Sequence, residues 1–385
     1  MTTIKMVKLG TLIKPAKLQK CGNDNYPVLS MTMHNGLVFQ SDKFKKSVAS
    51  QDKSTYKVVH RNQLVIGFPI DEGVLATQRI TDAGIVSPAY GIWDVDQTKI
   101  IPEFLEYALR CNRAIDYYKA KLRGSTARRR SLPTPTLLEL DVPLPDIEQQ
   151  RLALTTIHHA KNALDSRQAQ LTKLDELVKA RFVEMFGDML LNSLDWSEKS
   201  LEGLADIVSG ITKGRKTTET ELIEVPYMAV SNVKSGYIDW TTVKTILATK
   251  QEIEQYRLMP DDILMTEGGD PDKVGRGAII KKPLENSIHQ NHIFRVRLDE
   301  SELLPAYFAE YLQHQKAKRY FLGCAKQTTG IASINMRQLR ALPVLIPPLP
   351  LQNQFAAFVE EVDKSKLLAE LFAQNACILA ENRSK

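Results

Sequence analysis

Cysteine is scarce in this chain of 385 residues: Cys21, Cys111, Cys324 and Cys377 stand far apart, with no C-x-x-C pair and no neighbouring histidine. Structural zinc needs closely spaced ligands, so no metal site is expected, and the thiols read as free and mostly buried. No apolar run approaches the roughly 18 residues of a membrane span. The opening MTTIKMVKLG also lacks the apolar stretch of a signal peptide, so a cytoplasmic protein is the expectation. A phosphate-binding Walker loop is missing as well: GITKGRKT (Gly210 to Thr217) is one residue too short, with Arg215 between glycine and lysine. His289 and His292 sit three apart without a third ligand nearby, which favours a strand-edge pair or a polar contact over a metal. Asp270 and Asp272 have no Asp/Glu-x-Lys partner of the kind a nuclease uses.

What is present is a normal globular balance, 43% apolar and 25% charged, over a length that suits two or three domains. The net charge of +6 is unevenly placed. Residues 1–148 carry 21 Lys and Arg against 15 Asp and Glu, whereas residues 191–350 carry 20 of each. The pull toward a polyanion is mild and lies in the first half.

The sequence is written twice. Sliding LLELDVPLPDIEQQ (Leu137 to Gln150) by 204 residues lays it on ALPVLIPPLPLQNQ (Ala341 to Gln354), with Pro143 on Pro347, Ile147 on Leu351 and Gln150 on Gln354. IPEFLEYAL (Ile101 to Leu109) lies over LPAYFAEYL (Leu304 to Leu312) at an offset of 203. YPVLSMTMHNGLV (Tyr26 to Val38) answers VPYMAVSNVKSGYI (Val225 to Ile238). A period this long means two domain-sized copies. Each reads as mixed structure, α/β or α+β, with strands such as Gln63–Phe68, Ile92–Val95, Ile263–Thr266 and Ile293–Leu298 and helices at Pro102–Cys111 and Pro305–Gln313.

Each copy, residues 1–148 and 191–350, is followed by a long helical pattern, 149–190 and 351–385. In the first, Ile157, Leu164, Leu171, Val178 and Met185 recur every seven residues; in the second, Phe355, Phe358, Val362, Phe372 and Leu379 keep the same spacing. Sustained heptads favour a supercoiled pair, although each helix could also pack on its own domain. An antiparallel coiled coil would relate the two copies by a pseudo-twofold axis. A helix from Gln149 to Phe186 is roughly 57 Å long at 1.5 Å per residue. Two like domains on such a spacer suit a ligand with two like sites, and DNA half-sites one turn apart lie about 34 Å from each other.

Two variable domains, each ending in a proline-rich run and a long helix, resemble the specificity subunits of type I restriction–modification systems. ILMTEGGDPDKVGRGAII (Ile263 to Ile280), ADIVSGITKGRK (Ala205 to Lys216) and the PLP…Q endings are similar to patterns in that family's target recognition domains. The first copy departs from it: LVIGFPIDEGVLATQRI (Leu64 to Ile80) lacks the GGD…GRG glycines. The resemblance implies a non-catalytic chain in which each domain binds half of a bipartite DNA target. It also implies that the coiled coil docks two methyltransferase subunits, with restriction (motor) subunits beyond them. S-adenosylmethionine, ATP and Mg would then sit on those partners and none on this chain. A self-contained methyltransferase or nuclease is the alternative. Against it, the sequence has no glycine-rich cofactor loop and no Asn/Asp-Pro-Pro-aromatic motif.

The densest basic stretch, KAKLRGSTARRRS (Lys119 to Ser131), offers Lys121, Arg123, Ser125, Thr126, Arg128, Arg129 and Arg130 to DNA; Lys326, Gln327 and Thr328 answer it in the second copy. Arginine forks can read guanine, and hydroxyls can grip phosphates. Further candidates are Lys213, Arg215 and Lys216, then Lys273 and Arg276, and finally Ser30 and His34 with their counterparts Ser231 and Lys234.

Overall fold

The computed structural model describes residues 4–33, 35–43, 52–122, 132–216, 221–270, 273–328 and 331–383, with backbone alone at 43, 327, 328, 331 and 369–383. The chain splits into two compact units, Met1–Ala163 and Leu164–Lys385. Their boundary falls inside the first long helix, so each unit includes part of it.

Unit 1 starts with β1 (Met6–Lys8), β2 (Ile13–Pro15), β3 (Leu29–Thr32), β4 (Gly36–Phe39), α1 (Gln40–Lys43), β5 (Lys57–His60) and β6 (Leu64–Ile66). It continues through β7 (Leu75–Thr77), β8 (Ala83–Val86), β9 (Gly91–Val95), α2 (Pro102–Arg110), α3 (Asn112–Lys121), α4 (Thr134–Leu138), β10 (Asp141–Pro143) and the start of α5 (Ile147–Phe186). Unit 2 follows with β11 (Ser197–Ser200), β12 (Ala205–Ser209), β13 (Ile223–Met228), β14 (Lys244–Ala248), α6 (Lys250–Tyr256), β15 (Ile263–Thr266), β16 (Gly268–Gly269) and β17 (Gly277–Ile279). Next come β18 (Ile288–His289), β19 (Ile293–Leu298), α7 (Pro305–Tyr311), α8 (Gln315–Cys324), β20 (Lys326–Thr328), β21 (Ile331–Ser333), α9 (Met336–Arg340), β22 (Pro343–Ile346) and α10 (Leu349–Arg383).

The four-stranded sheets run β2-β9-β6-β7 and β12-β19-β15-β17, antiparallel throughout, which makes each unit α+β. Their registers coincide. Ile13 faces Val95 and Leu64 faces Trp93 and Thr77, just as Ala205 faces Leu298 and Ile263 faces Val296 and Ile279. The offset between matched positions is 192 at Ile13/Ala205, 199 at Leu64/Ile263 and 203 at Val95/Leu298, because the connections differ in length. Small antiparallel pairs, β1 with β10 and β11 with β22, close each copy. α2 and α7 both open on a proline, where the missing N–H has no intrahelical partner to lose. Leu105 and Leu109 of α2, and Tyr307, Phe308 and Tyr311 of α7, enter the main cores.

The proline-rich endings need a correction of register. Gln150, fully buried in the first turn of α5, accepts from Ile101 N–H (2.8 Å) and donates to Lys99 O (3.1 Å) and Pro145 O (2.9 Å). Gln352 does the same in α10, accepting from Leu304 N–H (2.9 Å) and donating to Glu302 O (3.0 Å) and Pro347 O (2.8 Å). Gln150 therefore matches Gln352, not Gln354, and Pro145 matches Pro347. In both units one glutamine ties the long helix to the start of a short one.

Within unit 2 the last turns of α5 pack on the first turns of α10, antiparallel. Phe182 and Phe186 each lie about 5.5 Å from the Phe355 ring, the Arg181 guanidinium lies 5.9 Å over Phe358, and Lys366 Nζ meets Asp175 Oδ1 at 2.7 Å. Falling numbers in one helix meet rising numbers in the other. Val178 and Val362 are buried in the same stripe, with Leu171, Leu174, Met185 and Phe358 half-buried. Leu164 is 48% exposed, and Ile157 is half-buried in unit 1. Side chains of Phe372 and Leu379 lie outside the described residues. In unit 1, Leu154 is buried and His158 Nε2 lies 2.9 Å from Glu103 Oε1 of α2.

Candidate nucleic-acid interface

The strand registers give each sheet a helix end and a loop end. In unit 2, Ala205, Leu298, Ile263 and Ile279 lie at the helix end, which leads into Glu302, Leu304 and the Gln352 clamp. Ser209, Ile293, Thr266 and Gly277 lie at the other. The loops leaving that second end carry most of the candidate contact residues.

The first of these loops holds Lys213, Arg215 and Lys216. Gly210 makes it possible: a Cβ there would stand 2.0 Å from His289 O, so any side chain would push the strand ends apart. Ile211 N–H donates to His289 O (2.9 Å), and Asn291 N–H donates back to Ile211 O (3.0 Å). Lys213 and Lys216 are exposed. Arg215 is half-buried and forks onto Glu252, which also caps α6 by accepting from Thr249 N–H (2.9 Å). The Arg215 contact, first among the causes, holds the Glu252 carboxyl below its usual range. Arg215 thus anchors the loop that displays its neighbours. His289 is buried in the core, touching Tyr256 O (3.2 Å) and Val208 O (3.3 Å); burial drives its pKa down to about 4, so the ring is neutral.

The glycine-rich turn between β15 and β17 lies beside it. Gly275 adopts φ +69°, and a Cβ would strike the Phe321 ring at 2.1 Å, which explains a glycine on both counts. Lys273, exposed, contacts Asp270; Arg276 is half-buried, and its carbonyl accepts from Thr266 N–H (3.1 Å). Outside the described residues lie 271 and 272. β16 pairs with β21, and β21 with β20, which brings exposed Lys326 to the same turn. Gln327 and Thr328 are in β20, with side chains outside the described residues.

A third loop, 229–242, joins the cluster through Gly236 N–H, which donates to Gly277 O (3.0 Å). It holds Ser231, exposed, and Lys234, whose Nζ lies 3.7 Å from Asp239 Oδ2. Candidates from four separate stretches of unit 2 therefore converge on one end of one sheet.

In unit 1 the matching end is formed by Pro15, Gly91, Ile66 and Leu75. Ser30 lies half-buried in β3, and Lys121 is exposed at the end of α3. His34, Arg123, Ser125, Thr126, Arg128, Arg129 and Arg130 lie outside the described residues. Lys17 and Lys20, exposed just after β2, are cations at this end that motif reading missed. Also missed was Asn232, 2% exposed, since a lone asparagine carries no pattern.

Among the described residues no group of three or more His, Cys, Asp or Glu is placed to hold a metal, and no helix is long and apolar enough to cross a membrane. A polar depression of about 650 Å³ at the helix end of unit 1 is lined by groups already paired, Gln63 with Asp94 (2.8 Å) and Asn62 with Gln97 (2.8 Å).

Residues 193–373 match the family model described as Type I restriction modification DNA specificity domain. The chain is 28% identical over 171 residues to a putative type I restriction enzyme MjaX specificity subunit of Methanocaldococcus jannaschii, covering 44% of this chain and 40% of that protein. It is 20% identical over 235 residues to the type I restriction enzyme EcoKI specificity subunit of Escherichia coli, covering 58% and 50%. These alignments span half or less of the relatives' own lengths. The crystal structure of a type I restriction–modification S subunit from M. genitalium shares the fold at 14% identity, with a TM-score of 0.55 over 99% of this chain and 96% of that one. Over residues 193–373, just under half of its length, the chain is similar to the type I restriction modification DNA specificity domain.

Proposed function

We propose that this chain is the non-catalytic DNA specificity subunit of a type I restriction–modification complex, with each unit binding one half of a bipartite target. One observation carries the reading: two sheets of the same order and register, each clamped by a buried glutamine to a long helix at one end and bearing loops at the other. A doubled scaffold with divergent loops is what a split, asymmetric site asks of its reader.

On this reading residues 1–148 and 191–350 are target recognition domains. The helices at 149–190 and 351–385 form an antiparallel coiled coil that sets the gap between half-sites and docks two methyltransferase subunits. Restriction subunits join that assembly. S-adenosylmethionine, ATP and Mg belong to the partners, and the adenine to be methylated flips into a partner's pocket. Lys213, Lys216, Lys273, Arg276 and Lys326 of unit 2 and the basic stretch around Arg128–Arg130 of unit 1 grip phosphates or base edges.

The test compares methyl transfer to mixed-sequence DNA by the chain alone, by a methyltransferase partner alone and by the two together. The expected result is site-specific adenine methylation from the pair only. Activity from the chain alone would instead identify a self-contained methyltransferase.

A further inference from the structure

Two rings in unit 2 are displayed without a structural reason. Tyr237 is 61% exposed and Trp240 40% exposed, both in the loop 229–242. The loop does not need them. Asn232, 2% exposed, accepts from Ala229 N–H (2.9 Å) and donates to Asp239 O (2.8 Å) and Thr242 O (2.9 Å), stapling its two arms. Lys234 N–H donates to Tyr237 O (3.0 Å) across a turn completed by Gly236 at φ +84°. Asp239 then accepts from Thr241 N–H (3.0 Å) and Oγ1 (2.6 Å). Backbone and buried amide hold the shape, and the rings project from it.

The position supplies the occupant. Through the bond from Gly236 to Gly277 the loop abuts Arg276 and the glycine-rich turn, in the cluster that also presents Lys273 and Lys326. At the matched place in unit 1, Leu37, Val38 and Phe39 lie in β4, buried or half-buried. Rings displayed at this place are therefore particular to unit 2, whereas unit 1 exposes a ring elsewhere, Phe68, just after β6. Large aromatic surfaces left in water beside cations suit nucleic acid, where a ring stacks on a base or wedges beside one while the cations hold phosphates.

We infer that Tyr237 and Trp240 are direct contacts of unit 2 to duplex DNA, pressed against the half-site by a loop that is pre-shaped before binding. This rests on the function proposed above. Losing Trp240 should therefore weaken binding about tenfold or more.

The experiment uses the full chain and a random-sequence duplex pool, from which the chain enriches a bound duplex. If no duplex is bound or enriched, with or without a methyltransferase partner, the proposed function fails. With a bound duplex in hand, saturation should change the tryptophan fluorescence of the wild-type chain. Trp93 is buried and Trp196 half-buried with its indole donating to Phe186 O (2.9 Å), which leaves Trp240 as the reporter. Trp240→Phe should abolish that change yet bind nearly as well, whereas Tyr237→Ala and Trp240→Ala should each weaken binding about tenfold. Unchanged fluorescence with wild-type affinity in the alanine variants would overturn the inference alone. So would variants that bind DNA normally but no longer assemble with the partner, because the rings would then belong to a protein interface.

Discussion

Unit 1 and unit 2 share a sheet and disagree about nearly everything attached to its loop end. The clamps at Gln150 and Gln352 are the same to within 0.2 Å in every bond. The short helices start on proline in both. Yet where unit 2 has a buried histidine, His289, unit 1 has Val86. Unit 2 grips its own loop with Arg215 and displays two rings; unit 1 concentrates its positive charge in one stretch. What stays constant is what joins each sheet to its long helix, and what varies is the loops and packing at the other end.

The largest expected effect tests the helix end. Phe355 fills the space between Phe182, Phe186 and unit 2, so Phe355→Ala should cost about 3–5 kcal/mol in thermal unfolding of unit 2. A smaller loss would mean that these helices are not part of the core of unit 2.

Acid should separate the units next. Above pH 6.5 the His289 ring is neutral folded or unfolded and nothing is lost. Below it, the unfolded chain takes up the proton while the folded ring resists until about pH 4. Stability of unit 2 should therefore fall by about 1.4 kcal/mol per pH unit across that window, roughly 3 kcal/mol in all. Unit 1, with Val86, should lack this contribution, and His289→Val should flatten the pH dependence of unit 2. An unchanged slope in that variant would mean that another group is responsible.

The clamps come third and should behave alike. Gln150→Ala or Gln352→Ala leaves one N–H and two carbonyls unpaired, worth about 1–3 kcal/mol in either unit. Unequal losses would show that the two joints are not equivalent. The mildest effects belong to the loops. Replacing Lys213 and Lys216 by alanine, or Arg128–Arg130 by alanine, should flatten the salt dependence of DNA binding by roughly 0.9 for each phosphate no longer neutralised. A slope that did not move would take that loop out of the interface.

Much of the scaffold was legible because it rests on repeated apolar spacing. The doubled copies, the strand Ile263–Thr266 and both long helices follow from pattern alone. The register of the endings did not, since consecutive prolines in PPLP let the match slide by two residues and only the bonds of Gln352 decide it. The heptad count also passed over Phe182 and Phe186, which sit outside a strict seven-residue series yet are buried deepest. At the candidate site, cationic residues announce themselves but their partners do not. Nothing in the sequence tells that Arg215 would find Glu252, 37 positions away, while its neighbours stay exposed. Asn232 was invisible for the same reason: its role is made entirely of backbone contacts.

α5 has a further consequence as one unbroken helix. It carries Gln150 in its first turn and Phe182 and Phe186 in its last, each locked into a different unit. A helix turns by about 100° per residue, so adding a single residue between them would rotate one anchored face a quarter-circle or more past the other. Only additions near whole turns, such as seven residues, keep both faces in phase. Length changes in this segment are thus limited to steps set by the pitch of the helix.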